Sequence, residues 1–298
     1  MKNKVNVALA GGLGNQMFQY AAGRTLSLRH NVEQVVDSWS GFVRDYQYRR
    51  QYELNSFPIR ARIAKPFERI PIWIHRYKHR RNRIRANFFE SNWYGNFVTD
   101  TNSCYLPEFE EIKLIKNTWL VGYWQSPIYF KSVFTTLQSE LMPPKPVESK
   151  FIALGQLLQH TDSVALGVRL YEESETPSAH SLGSRMKTVA EIRGAIKRLK
   201  GQRPKARFYI FCTHRSPLLN QLDLPIDSMF VTHDVGYIGT PERLWLLSRC
   251  RHHIITNSSY YWWGAALSGA VRAGEKQYIL ASDNFVNQDS LLPTWDSF

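Results

Sequence analysis

Three glycines that follow the first apolar segment constrain the fold of this chain more than any other feature. Residues 5–10 predict a buried strand, residues 11–15 a tight turn and residues 16–29 an amphipathic helix. A second strand is predicted at 32–36 and is closed by Asp37. This order of strand, turn, helix and strand is typical of the start of an α/β domain.

The glycine turn has the composition of a ligand site. Gly12 and Gly14 let the backbone approach a ligand closely, and the helix that follows offers free N–H groups. Asn15 can both donate and accept hydrogen bonds, and Gln16 follows it in the same motif. These four residues are therefore candidates for contacts with a bound molecule.

Two alternatives remain for this turn. Gly12 and Gly14 match the first two glycines of the dinucleotide-binding motif G-x-G-x-x-G, and Asp37 lies near the expected acidic position. Met17 occupies the place of the third glycine, so the match is partial. A glycine turn that binds nothing is the other alternative.

A second α/β region follows a proline-rich segment. Residues 142–146 read Met-Pro-Pro-Lys-Pro, which is typical of a linker because proline stops helices and stays extended. We place the domains at 1–142 and 147–298. Strands of the second domain are predicted at 163–169, 207–212, 253–256 and 277–281. The fold class is therefore α/β, with two Rossmann-like domains facing a cleft, and ligands are expected at the carboxyl ends of strands.

Charged and polar residues follow two of these strands. Arg169 ends the first, and a guanidinium group there suits a diphosphate because it forms paired hydrogen bonds with phosphate oxygens. Glu172 and Glu173 come next and are candidates for a general base. Residues 257–259 follow the third strand and can bind an anion. The alternatives are a surface Arg–Glu pair and ordinary helix N-capping.

The net charge of +13 favours an anionic partner. Ten Arg or Lys residues between 60 and 85 are interleaved with apolar residues, which indicates a basic amphipathic surface element. Such a segment is a candidate for peripheral contact with an anionic membrane. A nucleic-acid-binding protein is the alternative from another class, but no nucleic-acid-binding motif is recognised, so no nucleic acid is expected.

Cysteine spacing and hydropathy indicate a reduced, cytoplasmic protein. Cys104, Cys212 and Cys250 are too far apart for a CxxC pair, and no zinc-ligand spacing occurs, so no metal is expected. Residues 5–10 are too short for the core of a signal peptide, and no stretch of about 18 apolar residues occurs. We expect the chain in the cytoplasm, where 60–85 can attach it to the inner face of the membrane.

Five segments match motifs that occur together, and in the same order, in one known family. Residues 11–21 read GGLGNQMFQYA and residues 253–265 read HIITNSSYYWWGA. Residues 122–130, 208–211 and 291–295 lie between and after them. The chain thus resembles the bacterial α-1,2-fucosyltransferases, a group like glycosyltransferase family 11. Their corresponding motifs are the N-terminal glycine signature, GYFQSxKYF, FYIFSDD, NSSFSWWGAW and a similar C-terminal ending.

The resemblance implies a GT-B fold and an inverting transfer of L-fucose from GDP-fucose to the 2-hydroxyl of a galactose, without a metal or other cofactor. The first domain is then the acceptor side and the second binds the sugar nucleotide. The acceptor is expected to be a glycan, as in a precursor of surface polysaccharide or lipopolysaccharide, and 60–85 is a candidate for holding a lipid-diphosphate-linked form of it.

The resemblance also assigns roles to residues. Arg169 matches the first arginine of the family's HxRRxDY motif, which is expected to contact the donor diphosphate, and Asn15 lies in the signature that lines the catalytic cleft. The expected catalytic residues are Arg169, Glu172, Glu173 and Asn15. The expected donor-binding residues are Gly12, Gly14, Gln16, Arg169, Glu242, Asn257, Ser258 and Ser259.

The chain departs from the family pattern at positions expected near the base of the donor. In HxRRxDY, Gly167 replaces the histidine, Leu170 the second arginine and Glu172 the aspartate. FSDD becomes Phe-Cys-Thr-His at 211–214, and Glu-Arg at 242–243 replaces an aspartate before the motif LYLMS. Of these positions only the diphosphate arginine is retained, so a GT-B transferase that uses a different sugar nucleotide is the alternative.

Overall fold

The chain forms two compact units. The structure, a computed structural model, describes residues 3–46, 48–72, 74, 88–91, 95–100, 104–114, 116–170, 186–285, 287 and 289–298. The N-terminal unit comprises Met1–Leu141 and Asn287–Ser290. The C-terminal unit comprises Met142–Val286 and Leu291–Phe298.

A short segment near the end of the chain returns to the N-terminal unit. The hydroxyl of Ser290 donates a hydrogen bond to the backbone oxygen of Gln125 at 3.0 Å. The backbone N–H of Tyr105 donates to the carboxylate of Asp289. These bonds join the segment to the loops that precede and follow the sixth strand of that unit.

A six-stranded sheet forms the centre of the N-terminal unit. Its strands are β1 (Lys4–Ala8), β2 (Glu33–Asp37), β3 (Arg62–Ile63), β4 (Phe89–Ser91), β5 (Asn96–Thr99) and β6 (Thr118–Val121). They lie in the order β3-β2-β1-β6-β5-β4, and all neighbours are parallel except β4 and β5. Asn6 of β1 pairs with Val35 on one side and Trp119 on the other. The predicted first and second strands are confirmed.

Helix α1 (Leu13–His30) packs directly on β1 and is the helix predicted after the glycine turn. Gly23 makes this close approach possible, because a Cβ atom there would lie 2.3 Å from a methyl carbon of Val7. The helical segment that follows β6 is divided. A 3₁₀ helix at Pro127–Val133 contains a non-helical Phe130, and α2 (Phe134–Glu140) follows it.

The start of the basic segment belongs to the sheet and its core. Arg62 in β3 forms ion pairs with Glu33 at 2.9 Å and with Glu68 at 2.7 Å. Ile70 and Ile74 are buried in a cluster with apolar residues of the central strands. Ile63 and Phe67 are exposed, so the apolar residues of this part are divided between the core and the surface. Residues 75–87 lie outside the described residues, so membrane contact by that stretch stays a prediction.

The C-terminal unit contains a second six-stranded sheet, in which every neighbouring pair is parallel. Its strands are β7 (Ser163–Gly167), β8 (Arg207–Phe211), β9 (Met229–Val231), β10 (His252–Ile255), β11 (Ile279–Ala281) and β12 (Asp296–Ser297). The order is β12-β11-β10-β7-β8-β9. When β7 to β12 are numbered 1 to 6 and the order is read from β9, it is the doubly wound order 3-2-1-4-5-6 of Rossmann folds.

Four helices accompany this sheet among the described residues: α3 (Ser149–His160), α4 (Val189–Gln202), α5 (Thr240–Arg249) and α6 (Ser259–Val271). A capping box starts α4, because Thr188 and Glu191 each bind the other's backbone N–H. Within the part of the chain that the structure covers, no helix has the length and apolarity needed to cross a bilayer.

A buried ionic network joins α1 to α2. Arg24 Nη2 lies 2.8 Å from Glu140 Oε1, and Arg24 Nε lies 2.9 Å from Glu140 Oε2. The hydroxyl of Tyr20 donates to the same carboxylate and accepts the backbone N–H of Arg60 at 2.9 Å. Burial, followed by the Glu140 carboxylate, raises the pKa of the Tyr20 phenol, so it stays a hydrogen-bond donor.

Replacing Glu140 with Ala should lower the free energy of unfolding by about 3 kcal/mol or more, because Arg24 would lose its partner inside the unit. Urea titration measures this. Glu148→Ala is the matched control, since that glutamate pairs with Lys150 at the surface and its loss should cost less than about 1 kcal/mol. Equal losses in the two variants would contradict a stabilising role for the buried network.

Candidate active site

The C-terminal switch point is the place between the carboxyl ends of β7 and β10 where the strand order reverses. Doubly wound sheets bind their ligands at such a point. The backbone N–H of Thr256 donates to the Gly167 oxygen at 3.2 Å and so extends the pairing of the two strands. Just beyond, Arg169 Nη1 lies 3.5 Å from the backbone oxygen of Asn257. Arg169 is exposed, and the structure brings these two predicted site residues together.

Helix α6 begins at the same switch point. Ser258 is its N-cap but makes no capping hydrogen bond with its side chain, and Ser259 is its first residue. The amide of Asn257 donates to the backbone oxygen of Asn284 at 3.0 Å, which fixes the loop before the helix. The N-terminus of α6 and the guanidinium of Arg169 thus both offer positive charge at one edge of the sheet.

Glu242 lies in the first turn of α5, close to the start of α6. The two helix starts are joined because the Tyr260 hydroxyl donates to the backbone oxygen of Thr240 at 2.8 Å. The Glu242 carboxylate folds back over Gly239, where an added Cβ would lie 2.2 Å from it. Gly239 has φ 110°, a conformation that favours glycine.

Tyr261 occupies the space beside Gly167 and was not predicted as a site residue. A Cβ atom at Gly167 would lie 2.5 Å from the Tyr261 ring. The Tyr261 hydroxyl donates to the backbone oxygen of Phe211 at 2.7 Å, so this side chain connects the ends of β7 and β8. The family signatures carry a histidine and a serine at these two positions. The sequence therefore held a signal for this contact: relative to the family signatures, residue 167 is smaller and residue 261 is larger.

Arg243 is a buried cation at the carboxyl ends of β8 and β9. Its Nη2 donates to the backbone oxygens of Cys212, at 2.5 Å, and Val231, at 3.2 Å. Its Nη1 lies 3.2 Å from His233 Nε2, and since arginine only donates, that nitrogen must accept and the ring is neutral. Burial, followed by the charge of Arg243, lowers the pKa of His233 accordingly.

The basic character of this edge continues at its surface. His214 Nδ1 lies 2.8 Å from Asp234 Oδ1, and the backbone N–H of Arg215 donates to the other oxygen of Asp234 at 2.6 Å. Asp234 is thus engaged by two of its neighbours. The family pattern has acidic residues at 213, 214 and 243, where this chain has Thr, His and Arg. The charge of this edge therefore differs from that of the family pattern.

The N-terminal switch point lies between the carboxyl ends of β1 and β6. Gln19 connects the two loops there, because it accepts the Ala10 N–H at 2.9 Å and donates to the Gly122 oxygen at 3.0 Å. Gln125 Nε2 donates to Asn15 Oδ1 at 2.8 Å, so it orients the predicted catalytic amide. Gln125 was missed as a site residue, although it lies in one of the family-like motifs.

The remaining residues of the glycine turn are largely buried and stabilise the turn and the loop beside it. Gly12 is the N-cap of α1, and Gly14 is buried in the first turn. Gln16 is buried, and its amide bonds three backbone groups: the oxygens of Gly11 and Gln51, at 2.9 and 2.8 Å, and the N–H of Glu53, at 2.9 Å. Gln16 therefore fixes the loop at 51–53 against the turn.

Two predicted features lie beyond these observations. Glu172 and Glu173 are outside the described residues, so their role as general base stays a prediction. Among the residues that the structure does describe, no group of three or more His, Cys, Asp or Glu side chains could hold a metal ion.

The two α/β units and their parallel sheets define a protein of the GT-B-like class. A GDP complex of a mutant FUT1 from Arabidopsis thaliana superposes with a TM-score of 0.51, at 11% identity over 94% of this chain and 70% of that one. The model of glycosyl transferase family 11 matches residues 1–297, and the chain belongs to this family. It is thus a glycosyltransferase, which decides against the nucleic-acid and dinucleotide alternatives.

Two curated relatives come from Escherichia coli. An alpha-1,2-colitosyltransferase is 24% identical over 274 residues, which is 87% of this chain and 86% of that protein. The O-antigen biosynthesis glycosyltransferase WbnK is 36% identical over 112 residues, 37% of this chain and 35% of that protein. Both relatives are named as glycosyltransferases, in agreement with the family match.

Gly167→Ala should lower the free energy of unfolding by about 1–3 kcal/mol, because the added methyl would press on the Tyr261 ring. The cost should be smaller in a Tyr261→Ser background, where room is available. Urea titration of the four variants of this cycle measures the coupling. Gly194→Ala, where a Cβ meets nothing, is the control. The same cost in both backgrounds would contradict the pairing.

Proposed function

We propose that the protein transfers L-fucose from GDP-fucose to the 2-hydroxyl of a galactose in a glycan acceptor, with inversion at the anomeric carbon. The observation that carries this is the family match over 1–297, together with Arg169 and the α6 N-terminus at the C-terminal switch point. A guanidinium group and free helix N–H groups suit a nucleoside diphosphate.

In this proposal the C-terminal switch point supports the leaving group. As the bond from the anomeric carbon to the diphosphate breaks, negative charge grows on the phosphate oxygens. Arg169 and the first N–H groups of α6 stabilise that charge, and because they are held in place before the reaction, they need no reorganisation. Ser258 can add a hydroxyl donor, since its side chain makes no capping bond.

The N-terminal switch point is the proposed place for the attacking hydroxyl. Asn15, oriented by Gln125, can hold the acceptor through its amide. A base must take the proton of the 2-hydroxyl, and Glu172 and Glu173 are the candidates. The acceptor is proposed to be a precursor of a surface glycan, in line with the O-antigen relative.

A second candidate keeps the linkage and changes the donor sugar. The relative that matches 87% of this chain is named an alpha-1,2-colitosyltransferase, a name with the same 1,2-linkage and a different sugar. The replacements at 167, 213, 214 and 243 favour a donor site that differs from that of a fucosyltransferase. Both candidates use Arg169 in the same way.

Transfer assays with purified protein test both candidates. GDP-fucose, the nucleotide-linked colitose and other sugar nucleotides are each supplied with a panel of β-galactosides, and the product linkage is determined. We expect release of GDP with a new α-1,2-linked product. Turnover with the nucleotide-linked colitose but not with GDP-fucose would select the second candidate. Absence of turnover with every GDP-linked donor would reject both candidates.

Arg169→Ala should lower turnover by about 10²–10³-fold, because one preformed donor to the leaving group is lost. The side chain is exposed, so thermal unfolding should be unchanged. Arg193→Ala is the matched control, since that exposed arginine of α4 pairs only at the surface with Asp223. Normal turnover in Arg169→Ala would remove the diphosphate role from this residue.

A further inference from the structure

A cavity of about 490 Å³ opens in the N-terminal unit beside the loop that follows β2. Its size lies within the range of small-molecule sites. The walls combine aromatic rings with charged side chains; they include Trp39, Phe42, Tyr46, Arg49, Arg50 and Tyr52. None of these residues is among the donor and acceptor contacts described under the proposed function.

The loop around the cavity is held by two aspartates. Asp37, at the end of β2, accepts the N–H groups of Trp39 and Ser40, both at 3.0 Å. Asp45 accepts the N–H groups of Tyr48 and Arg50, both at 3.1 Å. Both carboxylates are thus engaged by the backbone of the loop, which gives the cavity a defined shape.

The cavity adjoins the glycine turn. A Cβ atom at Gly12 would lie 3.5 Å from Arg50 Nη1, so the guanidinium lies against the start of α1. Gln16 bonds the backbone at Gln51 and Glu53 and joins the same loop to the turn. A molecule in the cavity would therefore lie next to the N-terminal switch point.

The charges that face the cavity are mainly positive. Arg49 and Arg50 are exposed, and no described carboxylate lies within ion-pair distance of either. Asp45, the acidic residue of the wall, has its oxygens turned to backbone N–H groups. Two arginines with free donor groups in one cavity favour an anionic ligand.

The rings supply the remaining recognition. Tyr46 is 79% exposed and Trp39 is 41% exposed, and the Arg69 guanidinium lies over the Trp39 ring, 5.1 Å from its centre. Such rings offer flat apolar faces, and the C–H faces of a pyranose ring are complementary to them. The combination of rings and guanidinium groups fits a sugar that carries an anion.

We propose that this cavity is the acceptor site and that it takes a glycan with an anionic group, a uronate carboxylate or a phosphate, held by Arg49 and Arg50 while Trp39 and Tyr46 contact the sugar faces. The assignment of the ligand as acceptor rests on the proposed function.

Calorimetric titration of the whole protein tests the proposal with three probes: a neutral β-galactosyl disaccharide, its analogue that carries glucuronic acid, and its reducing-end phosphate. We expect at least one anionic probe to bind about tenfold or more tightly than the neutral one, as for hydrogen bonds to charged groups. The stronger of the two identifies the source of the anion.

Arg49→Gln and Arg50→Gln should each reduce this preference, and Tyr46→Ala should weaken all three probes alike. Arg44→Gln is the matched control, an exposed arginine of the same loop outside the cavity wall. In transfer assays the arginine variants should raise the acceptor KM more than they change kcat.

Equal affinity of the wild-type protein for neutral and anionic probes overturns the proposal, as does an unchanged preference in both cavity arginine variants. If no sugar nucleotide is turned over while the anionic preference and its loss in the variants persist, the proposed function fails and the anionic glycan site stands. If transfer proceeds without any anionic preference, only the cavity assignment is wrong.

Discussion

The pairing of β7 with β10 determines the position of every group proposed to meet the donor. The two strands run parallel from His252 opposite Val164 to Ile255 opposite Gly167, and Thr256 adds one further bond. Because both strands end at the same edge, the residues that follow them emerge side by side. Arg169 therefore reaches the loop before α6, where its Nη1 lies 3.5 Å from the backbone oxygen of Asn257. Its exposure is a result of where the strands stop.

The two departures from the family pattern at this edge compensate each other. A larger residue at 167 could not coexist with the Tyr261 ring, and a smaller one at 261 would leave the ends of β7 and β8 without their connecting hydroxyl. Arg243, a third altered residue, also connects strand ends, since it donates to backbone oxygens at the ends of β8 and β9. The altered residues thus contact one another or the strand ends, and the charge at this edge differs from that of the family pattern.

Much of the framework could be predicted from the sequence, because buried parallel strands appear as short apolar runs and α1 follows an unmistakable glycine turn. β3, β4, β9 and β12 were not predicted, since such short strands are defined mainly by their neighbours, and β11 was recognised because its three residues are all apolar. Arg169 was recognisable from its place after a strand. Gln125 and Tyr261 were not, because each gains its role from a partner that only the folded chain brings near.

The return of Asn287–Ser290 to the N-terminal unit has a consequence for biosynthesis. Ser290 holds the backbone of Gln125, and Gln125 in turn orients Asn15. On the ribosome, the first unit can acquire its sheet early, but the bond to Gln125 forms only after Ser290, 165 residues further along the chain, has been made. A nascent chain that stops after the C-terminal sheet's fifth strand would carry a first unit of correct topology in which the loop at Gln125 lacks this bond. The final structure of that loop is thus coupled to synthesis of residues 287–290.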